Sequence, residues 1–242
     1  MKRGIILHLA NKEIWLHESI FTTYLLLVII TIGSIIISKK IKQADVHEKP
    51  KGVVHLVEIV VEAINGLVIQ AMGERNLGFA PYMLTIGVFL AFANLSGLVG
   101  LVPPTSDYNV TLALALITFV LIHFFSVRTK GIGGYLKQYA EPLPLLLPIN
   151  VLGEIANPIS LSFRLFGNIL SGALIMGLVY SGLSQISKIL IPFVAWPLHA
   201  YFDVFSGALQ TFIFIMLSMT YINSNMADEE EIAARKAKKQ GK

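Results

Sequence analysis

Arg164 sits in the apolar run Ser160-Leu161-Ser162-Phe163-Arg164-Leu165-Phe166-Gly167-Asn168. A guanidinium keeps its proton up to a pKa above about 12, so it cannot escape a low-dielectric site by neutralising. Held at mid-membrane depth it costs at least about 2.5–3.5 kcal/mol. Between residues 142 and 227 the only other formal charges are Glu154, Lys188 and Asp203. A permanent cation in such a place is suited to stabilising an ionised carboxylate, where a lysine could lose its charge. The polar residues around it recur at helical spacing. Asn150, Glu154, Asn157, Ser160, Arg164, Asn168 and Ser171 fall within an arc of roughly 120° at about 100° per residue. His199, Asp203, Ser206 and Gln210 follow i, i+4, i+7, i+11 and share a second face. Polar groups at membrane depth face a cavity or a partner, so two such stripes on adjacent helices imply a wet path.

The elements that carry these stripes follow from composition. The chain is 55% hydrophobic and 14% charged, against about 25% charged in soluble domains. It reads as one all-α integral membrane domain over residues 1–242. No cysteine is present, which excludes disulfides, thiolate metal sites and cysteine nucleophiles. Six scattered histidines lack metal-ligand spacing, so no metal is expected. No Gly-rich phosphate loop followed by Lys-Ser/Thr occurs, so no nucleotide site of its own is expected, and no cofactor. The start shows no removable signal peptide. The net charge of +4 comes from basic residues beside apolar spans, which points to topology control and away from nucleic acid.

Five spans and one surface helix are expected. The first span is 20–38. Segment 53–72 carries His55, Glu58, Glu62 and Asn65 on one face and reads as an amphipathic helix on the bilayer surface. Residues 79–127 form a helical hairpin turning at Pro103-Pro104-Thr105-Ser106-Asp107. Prolines 142, 144 and 148 mark an irregular approach to a long helix, about 149–183, with a bend at Pro158. The last helix runs from about 189 to 223, with an irregular first turn at Pro192 and Pro197, so 149–223 is a long antiparallel pair. The charged tail is 228–242. Basic clusters after the first span, after the hairpin and in the tail then share the cytoplasmic side, giving the N-terminus outside and the C-terminus inside. Counting outward from a turn at 182–188 puts Gln210 level with Arg164, and Asp203 nearer Asn168 and Ser171. Glu154 lies about 15 Å inward of Arg164, too far to pair with it. The arginine's counter-charge is therefore expected on another subunit, unless the helices slip by two turns and bring Asp203 to it.

Plainer roles stand beside these. Arg164 could be half of a structural pair, Glu154 an interfacial cap, His199 a hydrogen-bonding residue at the membrane edge. Asn168 and Gln210 could be helix–helix glue, and Asp107 could simply belong to its turn. A self-contained transporter would use Arg164 to hold an anion, but the sequence lacks the inverted repeat common in that class. A purely structural anchor leaves both stripes unexplained.

Ser160 to Ile169, Ser-Leu-Ser-Phe-Arg-Leu-Phe-Gly-Asn-Ile, resembles the signature of the a subunits of F-type ATP synthase. Asn94-Leu-Ser-Gly-Leu-Val-Gly-Leu-Val-Pro103 with Asp107-Tyr-Asn-Val-Thr111 resembles the hairpin of that family. Glu154-Ile-Ala-Asn-Pro158 resembles the approach to its arginine, and Gln210-Thr-Phe-Ile-Phe-Ile-Met-Leu217 its last helix. The resemblance implies a non-catalytic, ion-translocating stator in a bacterial plasma membrane. Its partners would be a c-subunit ring, a b-subunit stalk, the rest of the ATP synthase complex and the lipid bilayer. By that likeness Arg164 faces the ring carboxylate and blocks leakage between two half-channels. Asn168 and Gln210 sit near it. Asp203 and His199, with Ser171 and Ser206, line the outer path, and Glu154 with Asn157 the inner one. The transported ion would be H⁺ or Na⁺. Many members carry a glutamate where Ala173 stands here, so the outer path leans on Asp203.

Overall fold

The computed structural model describes residues 4–9, 12–43 and 49–227; the tail at 228–242 lies outside the described residues. Among the described residues, six helical stretches are long and apolar enough to cross a membrane: Glu18–Gln43, Val53–Met72, Glu74–Val99, Tyr108–Ala140, Pro144–Ile186 and Leu190–Asn225. The all-α expectation needs one correction. Strands β1 (Gly4–Leu9) and β2 (Lys12–His17) pair antiparallel, Gly4 opposite His17, ahead of the first helix. Lys12–His17 holds the β-branched Ile14 and the aromatic Trp15, residue types that favour strands.

Helix α1 (Glu18–Gln43) is anchored at its start. Ser19 Oγ donates to Asp107 Oδ2 at 2.9 Å, while Asp107 Oδ1 accepts from the backbone N–H of Asn109. Asp107 thus caps the N-terminus of α4 (Tyr108–Ala140) and ties it to α1, in line with the plain reading of its turn. Helix α2 (Val53–Met72) buries its C-terminal part, where Val68 and Met72 join a cluster with Ala80, Met83, Ile122, Ile215, Met219 and Ile222. Its first turns, with Val53, Leu56 and Ile59, stay uncovered. Helix α3 (Ala80–Leu95) and α4 form the hairpin around the Pro103–Asp107 turn. Between them and the last helices lies a second apolar cluster: Ile86, Leu90, Ala115, Leu161, Leu165 and Phe214. Gly87 lets α3 approach closely, since a Cβ there would stand 2.7 Å from Ile215 Cδ1.

Helix α4 runs past the expected end at 127. Gly131 adopts φ 69° and kinks it, a backbone region that favours glycine, and the chain then turns back. Helix α5 (Leu147–Ile186) is 40 residues long and continues through Pro158. The last span is not one helix with an irregular first turn. It is α6 (Leu190–His199), a wide π-type turn (Ala200–Ser206) and α7 (Gly207–Asn225). Pro197 lies inside α6. It has no N–H to give to the carbonyl one turn earlier, so the ladder is already weakened just before the chain widens.

Asn94 braces this widened region. Its Nδ2 donates to Gly207 O and to Thr211 Oγ1, both at 3.1 Å, and its Oδ1 accepts from Thr105 Oγ1 at 3.0 Å. It is 2% exposed. Asn94→Ala would strand the buried Thr105 hydroxyl, while the Gly207 carbonyl keeps its bond from Thr211 Oγ1 at 2.9 Å, at a cost of about 1–3 kcal/mol. A lowered thermal midpoint in detergent, with Thr105→Val adding less than its single-variant cost in that background, is the expected outcome.

Candidate functional site

The site grows from the register of α5 against the last span. Ser206 Oγ donates to Asn168 Oδ1 at 2.7 Å. Gly172 packs under Phe202, with a notional Cβ at 3.6 Å from the ring. Extended one turn away from the α5–α6 turn, the same antiparallel register brings Gln210 toward the level of Arg164. The turn itself is tighter than expected, since α5 ends at Ile186 and α6 begins at Leu190.

Between this level and the α5–α6 turn lies a cavity of about 400 Å³. Asn168, Gly172, Ala173 and Met176 form its α5 wall; His199, Phe202 and Asp203 form the facing wall; Asn94, Gly97, residues 100–103 and Ser106 close the side. Small residues at 172 and 173 leave the space open. Asp203 Oδ2 is 2.6 Å from His199 Nδ1, and His199 Nε2 is 2.7 Å from the Tyr180 hydroxyl. An ionised carboxylate only accepts, so Nδ1 carries the hydrogen; in the neutral ring Nε2 then accepts and the tyrosine donates. Three side chains from α5, α6 and the wide turn thus form one hydrogen-bonded row at the rim of the cavity.

Arg164 is half-buried and makes no hydrogen bond or ion pair with any described residue. Asp203, the one acid that a two-turn slip could have brought to it, is instead held by His199 on the cavity rim. Gln210 is 6% exposed with its amide nitrogen unpartnered, and Asn168 Nδ2 is likewise buried without a partner. Ser171 Oγ donates to Asn168 O on an exposed surface. The wide turn adds about one residue to the helical phase, so the single face expected for His199, Asp203, Ser206 and Gln210 does not carry through unchanged.

Glu154 and Asn157 stand apart from this group, toward the other end of α5. Both are half-buried, and Glu154 Oε2 has no hydrogen-bond partner. Glu154 lies close enough to His123 and Tyr139 for its charge to act on both. The Tyr135 hydroxyl is 3.3 Å from His123 Nδ1, and Tyr139 donates to Tyr135 at 3.1 Å. The fold-back at Gly131 makes this second polar cluster.

Sequence reasoning missed Tyr180, His123, Tyr135 and Tyr139. Tyr180 lies seven residues after Ala173 and four after Met176, on the cavity row of α5 and not on the arginine's face. Following the cavity-lining residues at 172, 173 and 176 outward would have found it. Nothing in the linear pattern pairs residue 123 with residue 135, because the kink between them has no periodic trace. Among the described residues no group of His, Asp and Glu could hold a metal ion.

A helical membrane protein with a cavity rimmed by Asp203 and His199 between its last two spans, and a guanidinium near it that has no partner among the described residues, is the class that the fold and the site define. The family model of the ATP synthase A chain matches residues 20–223. A sodium-ion-specific ATP synthase subunit a from Propionigenium modestum is 38% identical over 189 residues, covering 72% of this chain and 63% of that protein. A subunit a from Moorella thermoacetica is 29% identical over 218 residues, covering 90% and 93%. A chloroplastic subunit a from Oedogonium cardiacum is 36% identical over 212 residues, covering 82% and 80%. The chain belongs to this family, the a subunits of the membrane Fo sector of F-type ATP synthase, and is a multi-pass stator subunit that serves ion transport within that complex.

Proposed function

We propose that Arg164 meets an acidic side chain presented in turn by each c subunit of a rotor ring, and separates two half-channels that reach it from opposite sides. The reading rests on one observation above all. The guanidinium has no anionic partner among the described residues, and the one internal candidate is engaged elsewhere. A half-buried charge with no counter-ion among the described residues calls for one from a neighbour.

The outer path runs through the cavity, with Asp203 and His199 at its rim and Ser171, Ser206 and Asn168 leading inward. The inner path runs past Glu154 and Asn157. Ions leave one path onto the ring, travel around with it and exit by the other. Each charge moved through 100 mV releases about 2.3 kcal/mol, enough to bias rotation. Large apolar side chains on the open face of α5 and the last span, such as Phe163, Leu170, Leu174, Leu209 and Phe212, give the ring a surface to slide on. In this reading five stretches span the membrane and α2 lies on its cytoplasmic surface, beside a b-subunit stalk. The N-terminus is outside, the C-terminus inside, and the membrane is a bacterial plasma membrane. The carried ion is H⁺ or Na⁺.

Cysteines at Asn168 and at the exposed Leu209 test the arrangement. Both should crosslink to cysteines in the carboxylate-bearing c-subunit helix, and a complete absence of adducts in assembled complexes would refute the facing geometry. Purified alone in liposomes, the chain should pass little ion flux; robust unaided transport would favour a self-contained transporter.

A further inference from the structure

We propose that Tyr180 is a positioning residue for ion access from the outer side, its hydroxyl holding the His199 ring so that Nδ1 stays on Asp203. The inference rests on the outer-path reading above and adds to it a residue outside that path. The His199 side chain is partly open, at 37% exposure, and a single bond to Asp203 would leave its ring free to swing. The second bond, from Tyr180, fixes the opposite edge. The two rings are 6.1 Å apart and tilted by 45°, so they do not stack and the hydroxyl is the main contact that sets the orientation.

The bond crosses from α5 to α6, whereas the His199–Asp203 bond stays within one continuous chain segment. Tyr180 therefore ties the geometry of the acid to the opposite wall of the cavity. Asp203 lines the cavity and Tyr180 does not, so the tyrosine acts through the histidine. Ser206 and Asn168 make the corresponding cross-hairpin bond one level further in. The outer path is thus pinned at two heights, and Tyr180 is the upper pin.

The test uses the complete ATP synthase in liposomes, with ATP synthesis driven by imposed gradients and the outer concentrations of H⁺ and Na⁺ varied separately. The variants are Tyr180→Phe, Asp203→Asn and the pair together. Phenylalanine keeps the ring and removes only the hydroxyl. The expected result is a loss of about 3- to 10-fold at limiting outer ion, the size of one hydrogen bond, that largely disappears at saturating ion. In the Asp203→Asn background, Tyr180→Phe should add less than about twofold, because both act through one element. Wild-type kinetics for Tyr180→Phe beside an impaired Asp203→Asn would overturn this proposal alone. A uniform loss that is additive with Asp203→Asn would also overturn it, since that is the mark of packing. If Asp203→Asn is itself silent, the outer-path reading falls and this proposal with it.

Discussion

Replacing Arg164 with alanine should reduce ATP-driven ion pumping by more than about 100-fold, to the level of vesicles without the motor. That size follows from breaking a charge pair in low dielectric, which costs about 3–5 kcal/mol. The loss should come with intact assembly. Arg164 is half-buried and holds no described residue in place, so its removal leaves the packing of Leu161 and Leu165 untouched. It should also come with raised passive leak, because the barrier between the two paths is gone. Arg164→Lys should recover little. An ammonium sheds its proton readily in such a site and lacks the planar fork that grips a carboxylate. ATP-driven dye quenching and passive relaxation of an imposed gradient, measured on the same vesicles, separate the two effects. Near-normal pumping in Arg164→Ala would remove the assigned role.

Asp203→Asn should slow ion uptake from the outer side by about 10- to 100-fold at limiting concentration, the value of the charge assistance that a carboxylate gives an entering cation. The amide keeps the shape and can still accept from His199 Nδ1–H, so the cavity should persist. What disappears is the negative charge that draws a cation into it. Passive leak should stay low, because Arg164 is untouched, and this separates the variant from Arg164→Ala. Rates unchanged across a series of outer H⁺ and Na⁺ concentrations would take Asp203 off the path.

Much of the arrangement was legible in the chain because apolar periodicity and counting suffice for straight helices. Segment 53–72 is a helix with those bounds, and the level match of Gln210 with Arg164 follows from an antiparallel count. The separation of Asp203 from Arg164 was legible for the same reason. What escaped depends on backbone events without periodic trace. The wide turn at Ala200–Ser206 changes the phase of the last span, and an i, i+4, i+7 count assumes that no such turn exists. The kink at Gly131 joins His123 to Tyr135 across twelve residues. Along the chain Asn94 is one polar residue in a hairpin, and only tertiary contact shows that it serves a carbonyl and two threonine hydroxyls at once.

The length of α5 has a geometric consequence. Its 40 residues extend about 60 Å at 1.5 Å per residue, against about 30 Å of hydrocarbon and about 40–45 Å with headgroups included. Large aliphatic side chains are bare near both ends, Ile149 and Leu152 at one and Leu178 and Ile186 at the other, so neither end is dressed for water. A helix of that length stays within the bilayer only if it leans far from the normal, beyond the ordinary inclination of about 20°. Leaning converts distance along its axis into sideways displacement, so Glu154 and Tyr180 occupy different azimuths around any cylinder lying against it. On the two-path reading proposed above, that lateral stagger would oblige a rider that boards at one end to sweep an arc before it steps off at the other.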